Sequence, residues 1–217
     1  MSATKADFSV YLQYNSALVN QSHNTMSAIG NLFIISAPSG AGKTSLVKAL
    51  LQRDPHICVS VSHTTRAKRP GEQHGIDYNF VDQAAFAELV NNQQMLEHAT
   101  VFGNAYGTSR TWVEQAIAQG KDVILEIDWQ GRDQVLQLLP KAVAITILPP
   151  SKAALQKRLA DRGTDSDATI AQRMAEAENE ISHYAGSHYL LINDDFTQAL
   201  TELAAIFVSE RLQTKRQ

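Results

Sequence analysis

The segment Asn31–Ser36 (NLFIIS) reads as one apolar run and leads straight into Ala37-Pro38-Ser39-Gly40-Ala41-Gly42-Lys43-Thr44. A continuous apolar run, without alternation, predicts a strand buried on both faces. Such a strand needs helices on either side of its sheet. The glycines that follow let backbone N–H groups turn inward and approach an anion closely. A helix predicted over Gly42–Arg53, with Leu46, Leu50 and Leu51 inward, then offers its positive end to the same point. Lys43 adds a point charge for outer phosphates, and the Thr44 hydroxyl is a hard-oxygen donor suited to Mg²⁺. One local stretch therefore sets both the sheet type and a phosphate cradle.

The spacing is that of a P-loop, with Ala37 where the pattern has its first glycine. Ala37 requires a backbone without positive φ at that position. The closest approach to phosphate belongs to Gly40 and Gly42, so the cradle survives this departure. By itself the pattern implies bound nucleoside triphosphate and leaves the acceptor open.

The alternation of strands and helices continues along the chain. Strands are predicted at Ile57–Val61, Asp122–Ile127, Ala142–Leu148 and His188–Ile192. Helices are predicted near 109–119, 130–139, 151–162, 167–184 and 195–213, with Gly120 and Gly163 at positions suited to C-terminal caps. This rhythm predicts a mainly parallel sheet with helices on both faces. Residues 63–108 interrupt it. Short aromatic strands (Tyr78–Val81, Met95–Phe102), one helix starting near Asp82 and several glycines predict a small mixed α/β insertion.

Composition narrows the setting. The 217 residues are 44% hydrophobic, too apolar for intrinsic disorder. The formal charge is −3, from 19 Lys+Arg against 22 Asp+Glu, which argues against a general nucleic-acid binder. The single cysteine, Cys58, excludes an internal disulfide framework and fits a reducing compartment; it is expected as a small buried hydrophobe. No apolar run approaches the roughly 20 residues of a membrane span, and the N-terminus lacks the pattern of a secretory signal. A cytoplasmic protein is expected. Residues 1–30 are expected to form a poorly ordered extension, with short apolar stretches at Val10–Leu12 and Ala17–Val19 and an alternative start at Met26.

The segment 64–81 reads TTRAKRPGEQHGIDYNFV. Arg66 and Arg69 lie three apart in a turn-prone stretch closed by Pro70-Gly71, an arrangement suited to clamping a phosphate between two guanidinium forks. Residues 60–75 hold three cations against one anion, Glu72. Charge alone leaves a solvated basic loop as an equal reading. With the P-loop, however, the spacing T-T-R-x2-R-x2-E-x2-G-x2-Y-x-F resembles guanylate kinase. Further features of that family follow in order: Ser60-Val61-Ser62; Glu97 in MLEHATVFGNAYGT; Glu126 and Asp128 in VILEIDWQG; Arg158 and Arg162 in KRLADRGT; Arg173 in AQRM; and Asn193-Asp194-Asp195. The resemblance spans about residues 31–210.

The resemblance implies a P-loop nucleoside-monophosphate kinase fold: an α/β core with a parallel sheet flanked by helices, an inserted mixed α/β GMP-binding domain and a helical lid. The core would comprise 31–62, 109–150 and 174–217, the GMP-binding domain 63–108 and the lid 151–173. Arg66, Arg69, Tyr78 and Tyr106 would hold the GMP phosphate. Ser62, Glu97, Thr108 and Asp128 would surround the guanine side, and Glu126 joins the GMP-binding set. Guanine presents N1–H and its N2 amino group together, and one carboxylate accepts from both. Without the resemblance, Glu97 reads as an exposed strand glutamate. Ala37 to Thr44 would bind ATP, with Mg²⁺ at Thr44. Lys43, Arg66, Arg158, Arg162 and Arg173 would neutralise the transferring phosphoryl group.

Residues 152–173 hold five cations against three Asp, fitting a lid that closes over ATP about Gly163-Thr164. Asp128 could instead serve Mg²⁺ or its waters. His63, His74 and His98 are expected to play surface or supporting roles. Two rivals remain: a guanylate-kinase-like peptide-binding module, opposed by the intact Lys43, Thr44, Arg158 and Arg173, and a kinase of AMP, CMP or UMP, opposed by Glu97 and the 64–81 pattern. The expected partners are ATP and GMP, with no nucleic acid and no membrane. Self-association is left open.

Overall fold

A computed structural model describes residues 29–101, 103–161 and 166–213. Its first sheet has five strands, all parallel, in the order β2-β7-β1-β8-β9. These are β1 (Leu32–Ser36), β2 (Ile57–Val59), β7 (Asp122–Leu125), β8 (Val143–Leu148) and β9 (Tyr189–Ile192). β1, β7 and β8 are buried along their whole length, as their unbroken apolar runs require.

Helices cover both faces. On one side Leu46, Val47 and Leu50 of α1 (Lys43–Arg53) and Leu200, Leu203 and Phe207 of α7 (Phe196–Arg211) pack against Phe33, Ile35 and Ile145. Phe33 and Phe207 stack with ring centroids 3.7 Å apart. On the other side Val113 of α3 (Arg110–Ala118) and Val135 of α4 (Trp129–Leu138) pack against Leu32, Ile34, Val123 and Leu125. Alternate residues of one buried strand thus feed two separate cores.

The second sheet has four strands in the order β4-β3-β6-β5: β3 (His63–Thr64), β4 (Asn79–Phe80), β5 (Met95–Val101) and β6 (Asn104–Ser109). α2 (Gln83–Asn91) is capped by the Asp82 carboxylate, which accepts from Ala85 N–H at 2.7 Å. β3 and β6 carry no strand pattern of their own; β6 exists because it pairs with β3 and β5 at once.

α5 (Lys152–Ala160) and α6 (Asp167–Ser182) form a helical pair around buried Leu155, Leu159 and Ala177. A 3₁₀ turn, Tyr184–Gly186, joins α6 to β9. Gly120 lies just past α3 with φ of 78°, as a C-terminal cap requires. Cys58 is half-buried against the second core, and burial pushes its thiol pKa up. Among the described residues no helix is long and apolar enough to cross a membrane. The short apolar stretches at 10–12 and 17–19, Met26, Arg162 and the Gly163-Thr164 hinge lie outside the described residues.

Candidate active site

The cradle follows the C-terminal end of β1. Gly40 and Gly42 have φ of 94° and 95°, and Gly42 is the N-cap of α1. Ala37 needs no positive φ. The two glycines also have no room for side chains. A Cβ on Gly40 would lie 2.9 Å from Leu155 Cδ1, and one on Gly42 would collide with the Asn193 amide. Pro38 and Ala41 are buried, Ser39 is exposed, and half-buried Lys43 and exposed Thr44 open α1.

Asn193 is a residue whose use only the structure reveals. Buried to 5% exposure, its Nδ2 donates to the Ala41 carbonyl at 2.7 Å. Its own carbonyl accepts from Arg158 Nη2 at 2.8 Å. One side chain thus braces the loop while its backbone receives a cation from α5.

On the second sheet, Arg66 meets Glu72 in a two-pronged ion pair, Nη2–Oε1 2.7 Å and Nη1–Oε2 3.1 Å. Glu72 Oε2 also accepts from the Arg69 backbone N–H at 2.8 Å. The Glu72 pair holds the Arg66 guanidinium above its usual range, and Arg66 holds the Glu72 carboxyl below its own. The guanidinium lies 5.2 Å from the Tyr78 ring centroid, and Tyr78 meets Tyr106 edge-on at 6.0 Å. Arg66, Tyr78 and Tyr106 therefore converge, while the Arg69 side chain is exposed. Burial pushes the Tyr78 phenol up, and Glu126 lies within electrostatic reach of it. Ser62 is half-buried, and its carbonyl accepts from Asn79 N–H at 2.8 Å. Glu72 stood in the sequence pattern as its lone anion; its spacing of six and three residues from the two arginines was the available signal.

Glu97 corrects the exposed-strand reading that its sequence alone suggests. It is 4% exposed, because the β5 ladder slips register between Met95 and Glu97 and three successive residues are buried. Thr108 Oγ1 donates to Glu97 Oε1 at 2.6 Å. Burial, aided by the Asp128 carboxylate and opposed by the Thr108 bond, pushes its pKa up to about 7. Asp128 caps α4, its Oδ1 accepting from Gly131 N–H at 3.0 Å. Gly131 lies against Glu97; a Cβ there would sit 2.7 Å from Oε2.

Asp128 also joins the two halves. Its charge is felt by Glu97 on one side and by Glu180 of α6 on the other. Burial raises the Glu180 pKa, Asp128 raises it further, and Lys43 opposes both. No motif or spacing in the sequence marks Glu180. Arg173 lies seven residues before it on α6, so both share one helical face to within about 20°.

The structure thus holds a glycine-turned cradle at the C-terminal edge of a parallel sheet, where such sheets bind ligands, and on a second sheet an arginine–tyrosine cluster and a buried carboxylate. The family model described as guanylate kinase matches residues 29–210. A guanylate kinase of Saccharophagus degradans is 57% identical over 192 residues, 88% of this chain and 94% of that one. One from Vibrio cholerae is 55% identical, covering 87% and 92% respectively. The crystal structure of guanylate kinase from Anaplasma phagocytophilum superposes with a TM-score of 0.72 at 34% identity, covering 88% of this chain and 90% of that one. The chain belongs to the guanylate kinase family.

Proposed function

We infer that this chain catalyses ATP + GMP ⇌ ADP + GDP and accepts dGMP by the same route. The observation that carries this is the placement of Glu97. A buried carboxylate, bonded to Thr108, sits on the sheet that holds the Arg66–Tyr78–Tyr106 cluster, and Asp128, whose charge it feels, acts also on Glu180, where Lys43 opposes it. Guanine's N1–H and N2 amino group both donate to one carboxylate. Adenine offers an acceptor at N1 and gives Glu97 no donor beyond the Thr108 hydroxyl, which such a buried site rejects strongly.

Residues 63–108 are the GMP-binding domain, 151–173 the lid, and 31–62, 109–150 and 174–217 the core. Arg66, Arg69, Tyr78 and Tyr106 hold the GMP phosphate; Ser62, Glu97, Thr108, Glu126 and Asp128 line the nucleoside side. Residues 37–44 wrap the ATP phosphates. The hard oxygen of Thr44, exposed beside Lys43 at the open end of the cradle, fits Mg²⁺ arriving with ATP. When bound, that ion supplies charge neutralisation on the phosphates.

The acceptor is a phosphate monoester with a second pKa near 6. Its oxygen is already ionised at pH 7, so no general base is needed. A GMP phosphate oxygen bonds to the γ-phosphorus of ATP as the bond to the bridging oxygen breaks and its electron pair leaves with ADP. The protein aligns two anions and neutralises the transferring group. Lys43 and Arg66 do this from the core and the second sheet; Arg158, Arg162 and Arg173 do it from the lid. The setting is the cytoplasm, which the unpaired Cys58 suits.

The test is a coupled assay with ATP and each of GMP, dGMP, AMP, CMP and UMP. Turnover with the two guanine nucleotides alone is expected. Turnover with none of the five would favour a binding module, and equal use of AMP would remove Glu97 as the selector.

A further inference from the structure

Arg132 has no part in the chemistry above, yet it is the buried cation among the described residues, at 2% exposure. A guanidinium in such a place is tolerated only when fully bonded. Its Nε donates to Asp133 Oδ1 at 2.8 Å. Its Nη1 donates to the His183 carbonyl at 2.8 Å and to Ser187 Oγ at 3.3 Å. Ser187 Oγ in turn lies 2.7 Å from Thr146 Oγ1 on β8. Gly186 leaves the space that the guanidinium occupies; a Cβ there would run into Nη2.

His183 is the C-cap of α6, so Arg132 places its charge at the negative end of that helix. Three residues earlier on α4, Trp129 stacks on the His183 ring, centroids 3.7 Å apart and planes 3° from parallel. The first turn of α4 therefore grips the end of α6 by a ring stack, a charge on its terminal carbonyl and a bond to the residue after the 3₁₀ turn. That turn also begins with Asp128 and contains Gly131, which packs on Glu97. The helix it grips carries Arg173 and Glu180.

We propose that Trp129 and Arg132 are positioning residues: they dock the C-terminal end of α6 on the core and so hold Arg173 and Glu180 in register with the phosphate cradle and the Glu97 pocket. This rests on the reading of Arg173 as a cation that acts in phosphoryl transfer.

The test uses the full chain in the ATP/GMP assay, with melting temperatures measured alongside. Arg132→Met is expected to lower kcat by roughly tenfold to a hundredfold, the scale of a small misplacement of a catalytic group. The KM for GMP should stay within about twofold. Arg132→Lys should recover part of kcat, because an ammonium still reaches the His183 carbonyl. Arg173→Ala should also lower kcat, and the double variant Arg132→Met/Arg173→Ala should fall little further than Arg173→Ala alone. A lowered melting temperature with wild-type kcat would reduce Arg132 to a structural role and overturn the proposal. Full additivity in the double variant would do the same while leaving the reading of Arg173 intact. Wild-type kcat in Arg173→Ala would sink that reading itself. If Arg132→Met does not fold, Trp129→Leu, which removes only the ring stack, takes its place in the same cycle.

Discussion

Burial pushes the Glu97 pKa up to about 7, so in the free protein this side chain gains and loses its proton in the neutral range. On the proposed reading, guanine's paired donors need the carboxylate, and GMP binding then draws that proton off. The KM for GMP is therefore expected to rise as pH falls from 8 to 6, by more than the second ionisation of GMP explains. Glu97→Gln should flatten the excess and lower kcat/KM for GMP roughly ten- to a hundredfold, the scale of a buried donor left unpaired, with the KM for ATP little changed. The same residue affects stability with a definite sign. Its folded pKa is raised above the ordinary 4.5, so its contribution is fully present below that value and is lost as pH rises through about 7. The melting temperature of Glu97→Gln relative to wild type should climb between pH 5 and 8. A constant gap across that range would refute the burial account.

The elements differ in how far each announced itself. β1, the cradle and α1 were legible because their signals are local: an apolar run, two glycines and a lysine at fixed offsets. The five parallel strands were legible for the same reason. β6 was not, because Asn104–Ser109 has no apolar alternation and becomes a strand only by pairing on both edges. Burial of Glu97 was hidden too, since it follows from a slip in the ladder. Long-range contacts such as Trp129 with His183, or Asn193 with Ala41, leave no mark in spacing. Asn193 shows what one such contact does at the scale of a loop. Asn193→Ala would strip the buried Ala41 carbonyl of the amide donor that braces it. A loss of about 1–3 kcal/mol follows for an unsatisfied buried group. Because the brace acts on the cradle, the KM for ATP should rise several-fold while the KM for GMP stays near wild type. Equal changes in both would show that Asn193 supports the whole fold and not the loop.

Across the whole molecule, the two ends of the main sheet do different work. The cradle and Asp128 follow the C-terminal ends of β1 and β7, where open parallel sheets bind ligands. At the opposite ends of the same strands, Asn31, Asp54, Asp122 and Arg211 form one network. Arg211 Nε reaches Asp122 Oδ2 and Nη1 reaches Asp54 Oδ2, both at 2.6 Å. Asp122 Oδ1 accepts from Asn31 N–H and Nδ2 at 2.8 and 3.0 Å. This ties the end of α7 to the starts of β1 and β7 and to the end of α1. The chain's net charge of −3 thus includes carboxylates bound in structure, at the end of the sheet opposite the cradle and its Lys43. Among the described residues, Arg211→Met would leave the buried Asp122 carboxylate with its Asn31 bonds and no ion pair. Breaking a fully buried pair costs about 3–5 kcal/mol. Arg211 is partly exposed, so about 1–3 kcal/mol is the reasonable scale here, a fall of roughly 3–10 °C in melting temperature for a chain this size. Burial raises the Asp54 pKa, but its bonds to Arg211 and the His56 N–H together hold it below the ordinary carboxylate value. Stability from such a group is present above its unfolded pKa and lost as pH falls through the folded one. The deficit of Arg211→Met should therefore be largest near pH 7 and shrink as the pH falls below about 4. Melting curves at pH 7 and 3.5 check the sign, and wild-type KM values for ATP and GMP at pH 7 check that this end of the sheet carries stability without touching the site.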